Sequence, residues 1–359
     1  MIKYLGSKRI QVPLLGAIAE ASGAKTAVDL FTGTTRVAQE FKRRGILTTA
    51  VDLATYSEVF AQCYIATDAR AVDERQLRTA IDELNRLPGR AGYFTRTFCE
   101  ESRFFQPKNG ARIDTIRAVL ESDYRSSPLF PLLLTSLLEA ADRVDSTTGL
   151  QMAFLKQWAP RAANELELRV PQLLPGSGVA VRGDAIELAA SLPAVDLAYL
   201  DPPYNQHRYF SNYHVWETLV RWDEPEPYGV ARKRLDVRSD ENRSAFNSRR
   251  TMSDSLRHLI SEVRAETIVV SYNNESWVSA ADISGWLRDA GKAEVMTLDV
   301  DYKRYVGAQI GIHNPAGEKV GKVSHLRNVE HVIVGGSSAA IAAVREALEP
   351  VAGASSSVR

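Results

Sequence analysis

The stretch AVDLFTGTTRVAQEFKRRGILTTAVD, residues 27–52, decides the fold class. It opens with a short apolar and β-branched run that predicts a strand buried on both faces, followed by a TGTT turn. The next ten residues predict an amphipathic helix that Gly45 closes, and ILTTAVD predicts a second strand that ends at Asp52. A strand–helix–strand unit of this kind builds a parallel sheet with helices on both sides, so the fold is predicted to be α/β.

The composition excludes several classes of protein. Of the 359 residues, 45% are hydrophobic and 25% are charged, which excludes disordered, collagen-like and coiled-coil chains. Two cysteines, Cys63 and Cys99, are too few for a disulfide framework or a four-ligand zinc site, and no metal site is expected. The N-terminus has no continuous apolar region, and the longest apolar run, residues 128–138, is too short to span a bilayer. We therefore expect a soluble, cytoplasmic protein without a membrane partner.

The strand signal disappears between residues 66 and 175, where three segments carry apolar residues at helical spacing. It returns at GVAVR, residues 178–182, and at VDLAYL, residues 195–200. This order predicts a Rossmann-like, mostly parallel sheet that is interrupted by a largely helical insertion. The predicted units are a discontinuous α/β domain (1–65 plus 176–337), a helical insertion (66–175), a polar and basic insertion (205–262) and a C-terminal tail (338–359).

Three segments are locally basic although the net charge of the chain is zero. Residues 86–117 carry seven Lys or Arg against three acids, with Tyr93, Phe94, Phe104 and Phe105 interleaved. Basic and aromatic side chains together are typical of a nucleic-acid surface, but a solvated helix with its own small core looks similar. Residues 228–250 and 302–327 are also basic, and we expect all three segments to contact phosphates.

The turn after the first strand suggests a ligand site at the edge of the sheet. Gly33 lets the backbone turn tightly and lets a cofactor approach the helix that follows. Asp52 ends the second strand, where a carboxylate can accept hydrogen bonds from ribose hydroxyls. A turn without a ligand and a helix N-cap are the alternative interpretations. The two features together favour a nucleoside-containing cofactor.

The string Tyr199-Leu-Asp201-Pro202-Pro203-Tyr204 follows an apolar strand and indicates the chemistry. The strand delivers one carboxylate to its C-terminal end, where open α/β sheets bind ligands. Two prolines then remove two N–H donors, which leaves only acceptors beside the aromatic face of Tyr204. Such a site suits a planar group with an NH₂ that donates two hydrogen bonds, although Asp-Pro-Pro is also a good turn.

The ordered motifs resemble the alpha-class adenine-specific DNA N6-methyltransferases, of the Dam and especially the FokI-modification type. The segment KYLGSKR, residues 3–9, is similar to the N-terminal motif of that family; the F-x-G turn follows it, and DPPY comes late. Other strings resemble the FokI-type branch in the same order: Phe104-Phe105, Ala141-Asp142-Arg143, Ser211-Asn212-Tyr213, Ser271-Tyr272-Asn273 and Tyr302-Lys303-Arg304. The likeness covers residues 1–335.

This resemblance implies the class I S-adenosylmethionine-dependent methyltransferase fold, with 66–175 as a candidate target-recognition region. It implies methyl transfer from S-adenosylmethionine to the N6 amino group of a flipped-out adenine in double-stranded DNA, in a restriction-modification system with a cognate endonuclease. The implied catalytic residues are Asp201, Pro202, Pro203 and Tyr204. The implied cofactor-binding residues are Tyr4, Lys8, Asp29, Phe31, Gly33, Thr35, Asp52 and Asp184.

Individual roles follow from the same resemblance. Lys8 is expected to hold the methionine end of the cofactor, Asp52 its ribose and Asp184 its adenine. Plainer alternatives are a surface cation for Lys8, a core aromatic for Phe31 and a helix N-cap for Asp184. Thr35 stands where the family commonly has a second glycine, and its Cβ restricts positive φ angles.

Two other functions compete with DNA adenine methylation. An RNA base amino-methyltransferase is one, because some ribosomal RNA enzymes also carry DPP-aromatic motifs. A DNA-binding relative that has lost catalysis is the other, and the intact Asp201 and Tyr204 argue against it.

Overall fold

A mostly parallel sheet organises the chain. The computed structural model describes residues 2–4, 6, 8–203, 209–239, 244–273, 276–303 and 327–355. Its strands are β1 (Thr26–Asp29), β2 (Leu47–Asp52), β3 (Val179–Arg182), β4 (Val195–Leu200), β5 (Pro227–Tyr228), β6 (Lys233–Arg234), β7 (Ala265–Asn273), β8 (Glu294–Lys303) and β9 (Arg327–Gly336). Seven of them form one sheet in the order β3-β2-β1-β4-β7-β9-β8, and β5 and β6 form a separate hairpin.

The strand directions confirm the predicted Rossmann-like architecture. From β3 to β7 all neighbours in the sheet are parallel, and β9 runs antiparallel to both β7 and β8. Because β1, β2 and β4 are parallel neighbours, the turn after β1, Asp52 and Asp201 all lie at the same edge of the sheet. This carboxyl edge is where such sheets bind ligands.

Helices cover both faces of the sheet. They are α1 (Val12–Ala21), α2 (Arg36–Arg43), α3 (Thr55–Ala61), α4 (Glu74–Arg86), α5 (Tyr93–Thr95), α6 (Pro107–Asp123), α7 (Phe130–Val144), α8 (Ala185–Ala189), α9 (Tyr209–Asn212), α10 (His214–Arg221), α11 (Met252–Glu262), α12 (Ala280–Asp289) and α13 (Ser338–Ser355). One face packs against α1, α2 and α13, and the other packs against α8, α11 and α12. Alternate residues of β4 serve the two faces, with Leu197 on one and Ala198 on the other. Both faces are therefore buried, as the apolar strands predict.

The helical insertion packs on α3 and α10 and shares one hydrophobic core with them. Helices α4, α6 and α7 form where the sequence predicts helical periodicity, and residues 145–175 are largely irregular. Lys3 ties the N-terminal segment to the end of α7, because its ammonium contacts Asp142 at 2.9 Å and Asp145 at 3.2 Å.

Two of the predicted segments contain helices that join the core. Helices α10 and α11 lie within 205–262, and Trp216 of α10 is 1% exposed. Helix α13 lies within 338–359 and packs Ile341 and Val344 into the core beside α1. Within the described residues, every helix is too short or too polar to cross a membrane.

Candidate active site

A cavity at the carboxyl edge of the sheet brings half of the predicted site residues together. The ends of β1, β2 and β4 form its base, and the N-terminal segment closes one side. Predicted residues on its walls are Tyr4, Phe31, Asp52, Asp184, Asp201 and Pro203. A smaller adjoining cavity is lined by Lys8, Asp29 and Gly33. No group of three or more His, Cys, Asp or Glu side chains suited to a metal ion occurs in the described part of the chain.

The turn after β1 is fastened to the end of β2. Gly33 has a φ of +50°, and a Cβ there would lie 3.0 Å from the ring of Tyr4. Its N–H donates to Oδ2 of Asp52 at 2.8 Å, and the N–H of Ala54 donates to Oδ1 at 2.9 Å. Asp52 therefore holds Ala54, the residue before α3, and also lines the cavity. The N-cap of α3 is Ala54, without a side-chain cap, so Asp52 is not a helix N-cap. Burial raises the pKa of its carboxyl group.

Thr35 lies behind this turn. Its φ of 61° is left-handed, a conformation that favours glycine, and its side chain is fully buried. The hydroxyl donates to the carbonyl oxygen of Thr34 at 2.7 Å and accepts from Nε2 of Gln39 at 2.9 Å. Thr35 does not line either cavity. It is the residue directly before α2, so it acts on the start of that helix.

Asp201 follows β4 and forms an ion pair with Lys8. The Nζ atom of Lys8 lies 2.9 Å from Oδ1 of Asp201 and also contacts Oε1 of Glu330 on β9. Lys8 is only 8% exposed, so it is not a surface cation. Burial raises the pKa of Asp201 to about 6, which the charge of Lys8 opposes and the charge of Glu330 reinforces. Burial also raises the pKa of Asp29 to about 7.

Other predicted residues have two roles in the structure. Asp184 caps α8, because Oδ1 accepts from the N–H of Ile186 at 2.8 Å, and it lines the cavity as well. Phe31 packs edge-on against Phe246 with ring centroids 5.2 Å apart, and it too lines the cavity. Pro202 is buried directly beside Asp201. Tyr204 lies outside the described residues.

Several cavity residues were not predicted as site residues. They come from the chain after DPPY and comprise Tyr209, Phe210, Ser244, Phe246 and Asn247. Tyr4 packs against two rings of the same region, with centroids 5.4 Å from Tyr209 and 4.6 Å from Tyr213, and these two rings lie 6.4 Å from each other. A cluster of aromatic residues in an otherwise polar segment after DPPY could have indicated these wall residues from the sequence.

Comparisons with known proteins agree with this geometry. Residues 4–276 match the family of D12 class N6 adenine-specific DNA methyltransferases. The chain belongs to this family. The match confirms the resemblance drawn from the motifs and covers the N-terminal segment, the helical insertion and the DPPY string.

Similar proteins within the family are modification enzymes. The chain is 28% identical to type II methyltransferase M.NlaIII of Neisseria lactamica, over 85% of this chain and 92% of that one. It is 28% identical to modification methylase StsI of Streptococcus sanguinis, over 85% of this chain and 49% of that one. This chain thus spans about half the length of the StsI enzyme. The solved methyltransferase domain of bacterial CtHen1-C aligns at 9% identity over 91% of this chain and 97% of that one, with a TM-score of 0.31. The fold assignment rests on the order of the strands in the sheet and not on this similarity.

The basic segments of this methyltransferase do not all offer their charges to a ligand. Phe94, Phe104 and Phe105 are at most 1% exposed, so the rings of segment 86–117 form core, which was the alternative interpretation. Arg117 is fully buried and donates to the carbonyl oxygens of Leu219 and Val220. In segment 228–250, Arg234 is 1% exposed and pairs with Asp223 and Asp236. Residues 304–326 lie outside the described residues.

A different set of cations lines a groove, and two of them, Arg9 and Arg36, form no ion pair with the described residues. The groove, of about 620 Å³ between the helical insertion and α2 and here called the arginine groove, is lined by one glutamate, Glu139, and by Arg9, Arg36, Arg43, Arg143 and Arg169. The other three arginines already have partners, since Arg43 pairs with Glu40, Arg169 pairs with Glu167, and Arg143 donates to the carbonyl oxygen of Glu167. Burial lowers the pKa of Arg36, and the neighbouring charge of Arg9 lowers it further. Nε of Arg36 is buried and has no acceptor among the described residues. Thr34 and Arg36 also line the smaller cavity, so the groove adjoins the site.

Proposed function

We propose that this chain transfers a methyl group from S-adenosylmethionine to the N6 amino group of adenine in DNA. One observation carries the proposal: a carboxylate followed by two prolines shares a cavity with the carboxylate that ends β2. The first is an acceptor-only site that suits an amino group, and the second is placed as in sites that hold a ribose.

The cavity residues fit this cofactor. Asp52 accepts one backbone N–H on each oxygen, which fixes the carboxylate and leaves further lone pairs for ribose hydroxyls. Phe31 supplies an aromatic wall and Asp184 a second carboxylate. Gly33 leaves open the space next to Tyr4 that a side chain would fill. When bound, the cofactor supplies a sulfonium-linked methyl group that is already activated for displacement.

The residues after β4 would activate the amino group. The lone pair of the adenine amino nitrogen is delocalised into the ring, which makes it a poor nucleophile. Asp201 and the carbonyl of Pro202 would accept its two N–H bonds and favour a pyramidal nitrogen with its lone pair directed at the site of the methyl group. The ammonium group of Lys8 favours the carboxylate form of Asp201, and in that form Asp201 can accept the proton that the nitrogen releases.

Double-stranded DNA as the substrate requires base flipping, because Asp201 cannot reach an amino group inside a duplex. Tyr209 and Phe210 line the cavity with Asp201 and would supply aromatic surface to an extruded base, and Tyr4 packs behind Tyr209. Tyr204 is proposed as a further stacking partner. The adjoining arginine groove would bind backbone phosphates, which fix position without reading sequence.

We infer that methylation is site-specific and protects DNA from a cognate endonuclease. This inference is supported by the relatives, which are named modification methylases and type II methyltransferases. The helical insertion is proposed to contain the target-recognition residues, since it forms one wall of the arginine groove.

The test uses methyl-labelled S-adenosylmethionine with unmethylated plasmid DNA and, separately, with bulk RNA. The products are digested to nucleosides and identified by mass. We expect label in N6-methyldeoxyadenosine, and none in a parallel reaction with Asp201→Ala. Label in an RNA nucleoside instead would replace DNA by RNA as the substrate, and the absence of label from both would contradict the proposal.

A further inference from the structure

Glu330 is a buried carboxylate that no motif of the sequence singles out. It lies on β9, between Asn273 of β7 and Val300 of β8 in the register of the sheet. It is 6% exposed, and its Oε1 contacts the ammonium group of Lys8. A carboxylate is rarely buried so far unless it is paired, so the contact with Lys8 accounts for its position.

Lys8 joins Glu330 to the proposed catalytic carboxylate. Its ammonium group lies 2.9 Å from Oδ1 of Asp201 on one side and contacts Glu330 on the other. Lys8 begins a short 3-10 helix, Lys8–Ile10, in the N-terminal segment that closes the cavity. One buried cation thus bridges carboxylates from two strands of the sheet, β9 and the end of β4.

We propose that Glu330 is a positioning residue for methyl transfer, which acts by anchoring the ammonium group of Lys8 against Asp201. This assignment rests on the proposed function. Lys8 occupies Oδ1 of Asp201 and so fixes the carboxylate, and Oδ2, to which no described residue donates, would accept from the amino group of the target. Without an anchor, the long side chain of Lys8 would sample other rotamers and lose this orientation.

The charges of the pair act on Asp201 in opposite directions. Lys8 favours the carboxylate form that the reaction needs, and Glu330 makes that carboxylate more basic and a better proton acceptor. Other ionisable groups that face Asp201 are Asp29 from β1 and Tyr199 from β4, and Asp52 lines the same cavity. These stay in place when Lys8 or Glu330 is replaced, so the two replacements are directly comparable.

The experiment measures single-turnover methyl transfer to DNA across pH 5–9 for the wild type, Glu330→Gln, Lys8→Met and the double variant. Glu330→Gln keeps the shape of the side chain, and we expect the rate at neutral pH to fall about tenfold or more. The acidic limb of the profile should move to higher pH in Lys8→Met, because Asp201 loses the charge that favours its carboxylate form. It should move in the same direction but less far in Glu330→Gln, because the released Lys8 no longer faces Asp201 while the loss of the Glu330 charge opposes the shift. Because the two side chains act as one unit, the double variant should lose much less than the product of the single losses.

Controls separate positioning from folding and from cofactor binding. The affinity for S-adenosylmethionine and the thermal midpoint of Glu330→Gln should stay close to the wild type. The matched control is Glu294→Gln on β8, whose carboxylate pairs with Arg345 at 3.5 Å; it should leave rate and pH profile unchanged.

Three results would overturn the assignment. One is an unchanged rate and acidic limb in Glu330→Gln, and another is a parallel loss of cofactor binding and folding in that variant. The third is that the wild-type protein methylates no DNA, which would also contradict the proposed function. If the wild type and Glu330→Gln are equally active, only the role of Glu330 is contradicted.

Discussion

The carboxyl edge of the sheet and segment 86–117 both place charged side chains beside aromatic rings, yet they use them differently. At the edge, Asp201 and Phe31 face a cavity, and Asp52 keeps lone pairs in excess of its two backbone donors. In the segment, Phe104 is core and Arg117 donates to main-chain carbonyl oxygens. A polar group can serve a ligand only where the protein itself has not already satisfied it.

The largest effect should come from Asp201→Ala, at the edge. We expect a loss of transfer of about 10²–10³-fold, because the target amino group loses its charged acceptor. Cofactor binding should be largely retained, since the proposed partner of Asp201 is the base. Single-turnover rates and equilibrium binding of the cofactor measure the two quantities, and an equal loss of both would contradict this division of labour.

Arg117→Gln tests the other side of the comparison. The free energy of unfolding should fall by about 3 kcal/mol, because buried carbonyl oxygens of Leu219 and Val220 lose their donor. Denaturant unfolding measures it. The salt dependence of DNA binding by the remaining folded protein should be unchanged.

The matched control for this variant is the double replacement Arg9→Gln and Arg36→Gln in the arginine groove. It should make the negative slope of log K for DNA binding against log salt concentration less steep by about 2. It should change the free energy of unfolding by less than about 1 kcal/mol. If Arg117→Gln altered the salt dependence of DNA binding and the groove variant did not, Arg117 would be a DNA-binding residue and the groove arginines would be structural, which would contradict this assignment.

Asp52→Ala should have an intermediate effect on the cofactor. We expect the KM for S-adenosylmethionine to rise about tenfold or more, because the ribose loses a charged acceptor and the N–H of Gly33 loses the hydrogen bond that orders its turn. Steady-state kinetics at saturating DNA measures it. An unchanged KM would leave Asp52 only its role in ordering the start of α3.

The smallest effect is expected for Thr35→Gly. Glycine relieves a left-handed residue of about 1 kcal/mol of strain, but it removes a buried hydroxyl bonded to Gln39, worth about the same. Stability and cofactor KM should therefore stay within about 1 kcal/mol and twofold of the wild type. A large gain in cofactor affinity would show that the Cβ of Thr35 obstructs the site.

Much of the fold and part of the candidate site could be predicted because the signals are local. Strand β1, the turn at Gly33 and the acid that ends β2 fall within one strand–helix–strand unit. The neighbouring β4 then places Asp201 at the same edge. Parallel pairing brings the ends of such strands together without any further information, and the family match agrees with the motif order.

The sequence by itself determined the α/β class, the position of the cavity at the carboxyl edge and the part of its walls that strand ends and short motifs supply, because those signals are local. The tertiary structure decided which charges remain available: it buried Arg117 and Arg234, left the arginine groove accessible and joined Lys8 to Glu330 across 322 residues. The burial and pairing of a charged side chain depend on residues that are distant in the chain, so a local sequence pattern does not predict them.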